Sequence, residues 1–433
     1  MQTLFRLTTL AAAATLMAAV SISASAADNG KYRIGVVTFL SGAAAGPFGV
    51  PAANGAKLAV EALNAGKVPS PYAKKGINGL EIEMVLLDEN GGATKQTEEF
   101  RNLVQRQKVD AVIGYISSGD CLAIAPAAEE LGVPTIFFDC GTSKVFEVVK
   151  TPKFLFRTGL DAVVDNIAAA RYVAETRPNV KTIASIQQNY AWGQESWADF
   201  ALAINKMKAD TKVVSEQWPK LGQGQYGAEI SALSVSNPDL IHSSFWGGDM
   251  EALMLQGGAR GLFDNKTVVL TAGETGLEHF KAQVANGTIL GGRGPFGAFA
   301  PKNALNDWFR PSFIAQFKEA PTYPAYKMVQ AILGLKAAAE KAAKPGAMPS
   351  AEQVVQGLAG LTFEAPSGTV NMSRTKGHQA VQGVSLGEYQ FDAKSGVATI
   401  TKIKTYSGEC LMPPDGTSPP DWIKAGFPGA KCN

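Results

Sequence analysis

The chain has 433 residues, with 40 Lys and Arg against 38 Asp and Glu, and is 46% hydrophobic and 18% charged. A near-neutral balance gives no electrostatic footprint for nucleic acid or an anionic membrane surface. The apolar content is too high for a disordered chain, and the length implies two or three domains.

Arg6 is the only charge before Asp28, and Leu7–Val20 is an apolar run ending in Ala24-Ser25-Ala26. A short apolar run closed by a small-x-small motif reads as a cleavable export signal over residues 1–26, too short for a membrane span. Its removal takes one base and no acid, so the mature chain stays near neutral. No cysteine follows the cleavage motif to carry a lipid.

The mature chain alternates two kinds of segment. Lys31–Leu40 reads as a strand, Ser41–Gly49 as a glycine- and alanine-rich turn, and Ala52–Leu63 as a helix. Leu80–Asp88 is a strand and Thr94–Gln107 an amphipathic helix. Then comes Val112–Thr142, VIGYISSGDCLAIAPAAEELGVPTIFFDCGT, with two apolar runs that each break into small polar residues. Cys121–Leu131 between them has helical spacing and Gly132 ends it, which makes a βαβ unit. In open parallel sheets, ligands bind where such turns leave the strands.

Phe154–Arg157 reads as a short strand leading out of this first series. A second series follows, with helices Ala162–Thr176, Ser196–Met207, Ala228–Val235 and Asp249–Ala259. Its strands are Lys181–Gln187, Lys212–Trp218, Leu240–Ser244, Val268–Thr271 and Thr288–Gly291. Helices Lys302–Lys318, Tyr323–Ala343 and Ala351–Leu358, a strand Gly368–Met372 crossing back, and a hairpin of Leu386–Asp392 with Ala398–Tyr406 complete the pattern. Alternating strands and helices predict an α/β fold with parallel sheets in two similar lobes.

Four cysteines lie beyond the signal, Cys121, Cys140, Cys410 and Cys432. Turns after adjacent parallel strands lie side by side, so the expected pairs are Cys121–Cys140 and Cys410–Cys432. Each closure contributes about 3 kcal/mol in the chain-entropy model, and export favours their oxidation.

Catalytic signatures are weak. His242, His279 and His378 carry no metal-ligand pattern, and no G-x-S-x-G surrounds any serine. Ser373-Arg-Thr-Lys376 matches S-x-x-K without its companion motifs. Gly222-Gln-Gly-Gln-Tyr-Gly227 matches G-x-G-x-x-G, but Trp218-Pro219-Lys220 separates it from its strand, which favours a surface loop. The expectation is a protein without enzymatic activity, metal or cofactor.

Binding features are stronger. Ser118, Gly141 and Thr142 would offer hydroxyls and free amides at helix N-termini, a cradle for a carboxylate as readily as ordinary caps. Phe48, Tyr190, Trp192, Phe245, Trp246 and Phe296 gather near the predicted turns, as rings facing a ligand or as core. Glu274, after the strand Val268–Thr271, is a candidate partner for a ligand ammonium or a solvated loop acid.

The chain resembles the periplasmic leucine/isoleucine/valine-binding proteins, type I solute-binding proteins of ABC transporters. The likeness rests on IGVVTFLSG at 34–42, NGAKLAVEALNA at 54–65, VIGYISSG at 112–119 and LGVPTIFFDCGT at 131–142. FLFRTGLD at 154–161, NYAWGQES at 189–196 and NPDLI at 237–241 extend it. The resemblance implies two Rossmann-like lobes joined by three crossovers, with a ligand cleft at the hinge. The lobes are expected at 28–157 plus 298–360 and at 158–297 plus 361–433. It further implies ligand contacts from Phe48, Ser118, Cys140, Gly141, Thr142, Trp192, Trp246 (or Phe245) and Glu274. Asp120 beside Ser118, and tryptophan or phenylalanine where tyrosine is usual, point to a larger or aromatic ligand. The expected role is periplasmic capture of an amino acid or a related small carboxylate or amide by a monomer, with delivery to ABC transporter permease subunits. A ligand-sensing receptor module is the alternative, and an exported hydrolase a further one.

Overall fold

In the computed structural model, residues 30–432 are described. The export signal lies outside them. Among the described residues no helix is long and apolar enough to cross a membrane.

The first series gives β1 (Lys31–Thr38), β2 (Glu81–Asp88), β3 (Ala111–Gly114), β4 (Thr135–Phe137) and β5 (Leu155–Arg157). The second gives β6 (Thr182–Ile186), β7 (Lys212–Gln217), β8 (Leu240–Ser243), β9 (Thr267–Leu270) and β10 (Ile289–Gly291). After three helices come β11 (Thr362–Ala365), β12 (Gly368–Arg374), β13 (Gln379–Val381), β14 (Val384–Asp392) and β15 (Val397–Tyr406). Two mixed sheets form, in the orders β11-β12-β13-β5-β4-β3-β1-β2 and β15-β14-β10-β9-β8-β6-β7. β1 to β5 pair in parallel, as do β6 to β10. The central strands β3, β4 and β8 are buried along their whole length. Helices on both faces demand continuous apolar runs there.

The chain passes between sheets three times, after β5, after β10 and after β13. One boundary differs from the sequence reading, which put everything beyond residue 361 in the second lobe. By hydrogen bonding, Thr362–Val381 extends the first sheet past β5. Phe363, Val370, Met372 and Ala380 join the core around the helix Tyr323–Ala342, and that burial holds the segment on the first lobe. Only from β14 onward does the chain belong to the second sheet.

Cys121 is bonded to Cys140, tying the start of the helix Ser118–Leu131 to the turn after β4. Cys410 is bonded to Cys432 and closes the tail. There Trp422 and Ile423 bury against the second lobe's helices.

A candidate ligand site between the lobes

The carboxyl ends of both parallel sheets face one small cavity. The first lobe lines it with Phe48, Ile116, Ser118, Gly141 and Tyr323, the second with Tyr190, Trp192 and Trp246. Arg293 completes the lining from the crossover that follows β10. Each position follows from local sequence. β3 runs out at Gly114, Ser117 caps the next helix by accepting from the Asp120 amide at 3.4 Å, and Ser118 becomes its first residue. A first-turn amide has no intrahelical acceptor, so it is free to serve a ligand.

The rings are held rigidly. Phe48 meets Trp246 edge-on at 5.2 Å and Tyr323 at 5.4 Å between centroids. The Trp192 indole donates to the Ser244 carbonyl at 2.8 Å, and the Trp246 indole to the Tyr190 hydroxyl at 2.7 Å. Tyr190 therefore accepts within the wall and keeps its own proton to donate. The Tyr323 hydroxyl is buried beside Arg293 with no well-formed hydrogen bond to a described group.

Behind these rings lies a buried charge cluster. Arg293 donates to Asp139 Oδ1 at 2.5 Å, to the Asp139 carbonyl at 3.2 Å, to Asp165 Oδ2 at 3.0 Å and to the Leu160 carbonyl at 3.2 Å. Its guanidinium lies 4.3 Å from the Trp192 ring centroid. Four of its five N–H groups are thus engaged, and the remaining one is on Nη2. Lys327, fully buried, donates to the same Asp139 oxygen at 2.7 Å. Burial opposes charge on Arg293, but Asp139 and Asp165 outweigh it and hold the guanidinium charged. Lys327 is pushed down to about 8, by burial first and by Arg293 second. Asp165 is pushed up to about 6 by burial, against the pull of both cations.

Of the expected contact residues, Phe48, Ser118, Gly141, Trp192 and Trp246 line this cavity. Cys140, Thr142 and Glu274 do not. Cys140 is spent on its disulfide and gives its carbonyl to Arg157 at 3.1 Å. The Thr142 hydroxyl donates across the cleft to Glu195 at 2.6 Å, and Ser143 donates to Glu195 from its amide and hydroxyl at 2.7 and 2.9 Å. Glu274 faces away, accepting from the amides of Ala298 and Tyr323 at 2.9 Å each. Phe245 packs on Tyr226 in the second lobe's core, and Asp120 is buried outside the lining.

Arg293 and Tyr323 went unmarked in the sequence. Arg293 sits in Gly291-Gly-Arg-Gly-Pro295, and a lone base among glycines at a strand end was the available signal. Tyr323 carried none, as an aromatic opening an apolar helix reads as core. The two short motifs stay outside the site. Ser373 is exposed at the end of β12, and Gly222 and Gly224 lie in an open loop with space around them.

The family model for periplasmic binding proteins matches residues 31–396. A solute binding protein of an ABC transporter from R. palustris, solved in complex with benzoate, superposes with a TM-score of 0.74 at 22% identity. The match covers 86% of this chain and 96% of that one. A second from R. palustris, in complex with 4-hydroxybenzoate, gives 0.74 at 18% identity over 87% and 97%. The branched-chain amino acid transporter substrate binding protein LivJ from Streptococcus pneumoniae, in complex with isoleucine, gives 0.71 at 18% over 87% and 99%. No curated protein matches by sequence. With a family match over most of its length, and two crossed-over α/β lobes whose strand ends meet at one cavity, the chain belongs to the periplasmic binding protein family.

Proposed function

We propose that this protein is the exported solute-binding component of an ABC importer and that it captures an aromatic carboxylate of the benzoate kind. One observation carries the choice of ligand. Among the described residues no acidic side chain lines the cavity, while a guanidinium, three hydroxyls and two turn amides do. An amino acid would bring an ammonium with no anion to meet it, and an unpaired buried charge costs several kcal/mol. A carboxylate would find donors only, and five aromatic rings suit a planar, apolar body.

Capture follows from placement. Neither lobe alone supplies the full lining, so contacts become complete only when the cleft is shut, and ligand shifts the population toward the shut form. No bond is made or broken. The export signal supports a periplasmic location, and the closed form would be what a membrane permease recognises.

A thermal-shift panel of benzoate, 4-hydroxybenzoate, phenylalanine and leucine tests the reading, since a ligand of the native state raises the melting temperature. The benzoates are expected to raise it and the amino acids to leave it unchanged. A shift with leucine and none with either benzoate would overturn the assignment.

A further inference from the structure

Glu274 lies outside the cavity, yet it is 3% exposed and, among the described residues, no cation is bonded to it. It stands on the short turn Gly273–Gly276 after β9, in the second lobe. One of its oxygens takes the amide of Ala298 in the crossover segment. The other takes the amide of Tyr323, the first residue of the long first-lobe helix Tyr323–Ala342. That helix has Thr322 at its N-cap with no side-chain cap of its own. A carboxyl oxygen at this end satisfies an orphan amide. The ring of the residue so held is part of the cavity wall.

Space for the contact comes from Gly297. It has φ +58°, and a Cβ built on it would overlap the Glu274 carboxylate. The other charged groups around Glu274 are Arg310 and Lys318 with His279 on one side of the balance and Glu278 and Glu319 on the other, all lining a separate outer hollow.

We propose that Glu274 is a positioning residue. It caps the first-lobe helix from the second lobe, sets Tyr323 against the cavity and latches the shut cleft, and Gly297 makes room for it. The binding arm of this proposal rests on the cavity being the ligand site. Burial pushes the Glu274 carboxyl up to about 7 from its ordinary 4.5, with the two amides and Arg310 pulling the other way. An opened cleft would return it toward 4.5, so shutting takes up a proton between those values. Ligand affinity should therefore fall as pH rises through about 7.

The test titrates benzoate into the wild type, Glu274→Gln, Glu274→Ala and Gly297→Ala between pH 5.5 and 8.5. In parallel, amide hydrogen exchange of Tyr323 and Ala298 is followed with and without benzoate, since the latch is made in the shut form. The wild type should weaken with rising pH. Glu274→Gln, which cannot ionise, should give a flat profile at an affinity below that of the wild type at pH 6, because its NH2 cannot accept from the second amide. Glu274→Ala and Gly297→Ala should bind about tenfold more weakly and exchange the Tyr323 amide on the order of tenfold faster. Unchanged exchange in both of these variants would overturn the proposal, whether or not benzoate binds. So would a wild-type pH profile in Glu274→Gln. Failure of the wild type to bind benzoate, with exchange accelerated as expected, would count against the aromatic-acid reading and leave the latch supported.

Discussion

Gly141 in the first lobe and Trp192 in the second are packed with no room for a side chain between them. A Cβ built on Gly141 would overlap the indole ring and stand 2.9 Å from Nη2 of Arg293. Gly141 is where the backbone of one lobe meets the stacked ring and cation of the other. Its φ is not in the left-handed region, so alanine is tolerated by the backbone itself. Gly141→Ala is expected to leave the melting temperature of the ligand-free protein within a few degrees, because the open form has space for a methyl. Ligand affinity should drop roughly 5- to 150-fold, as overpacking in the shut form costs about 1–3 kcal/mol. Calorimetric titration beside a melting curve checks both halves.

Glu195 is the second clasp. It reaches from the helix Ala191–Met207 to Thr142 and Ser143, taking three hydrogen bonds, with Lys144 at 3.9 Å. These contacts cross the cleft and exist only when it is shut. Glu195→Ala should speed ligand release and weaken binding about tenfold, with each hydrogen bond to a charged group contributing roughly 1.5–3 kcal/mol before water replaces it. Stopped-flow measurement should place the change in the off-rate. An unaltered off-rate would remove Glu195 from the clasp.

Asp139 is shared by Arg293 and Lys327, both buried. Asp139→Asn leaves two buried cations facing Asp165 alone, and breaking such a cluster from one side costs about 3–5 kcal/mol. Denaturant melts should show a loss of that order. A loss below 1 kcal/mol would mean that water reaches the cluster.

Asp120 gives a pH prediction of the same sense, read in stability. Burial pushes its carboxyl up to about 6 from 3.8, and only the Ser117 contact pulls it down. A raised carboxyl pKa contributes stability below about 3.8 that is lost as pH rises through 6. Asp120→Asn removes that loss. The variant should be more stable than the wild type at pH 7.5, by roughly 3 kcal/mol, and by only about 1 kcal/mol at pH 4.5. Melting curves at the two pH values decide it.

The fold was legible because the signal is repetitive. Short segments such as Ala111–Ile113 and Leu240–Ser243 belong to strands buried along their whole length, and each is followed by a helix. β11 and β13 were not legible. Thr362–Ala365 and Gln379–Val381 are four and three residues long, and pairing rather than local sequence makes them strands. The second boundary of the first lobe was misplaced for that reason.

The site was legible where chemistry is local and illegible where it is long-range. Ser118 and Gly141 announce themselves at strand ends. Thr142 and Glu274 look the same in sequence, but distant partners, Glu195 and the Tyr323 amide, turn them elsewhere. Arg293 becomes a wall of the site only through Asp139 and Asp165, more than a hundred residues earlier.

A cleft lined by hydrogen-bond donors, with no acidic side chain among the described residues, should take a carboxylate without an ammonium. Paired calorimetric titrations with benzoate and phenylalanine, which share a ring and a carboxylate, isolate that difference. Saturable binding of benzoate and none of phenylalanine is expected at the same concentrations. Tighter binding of phenylalanine than of benzoate would contradict it.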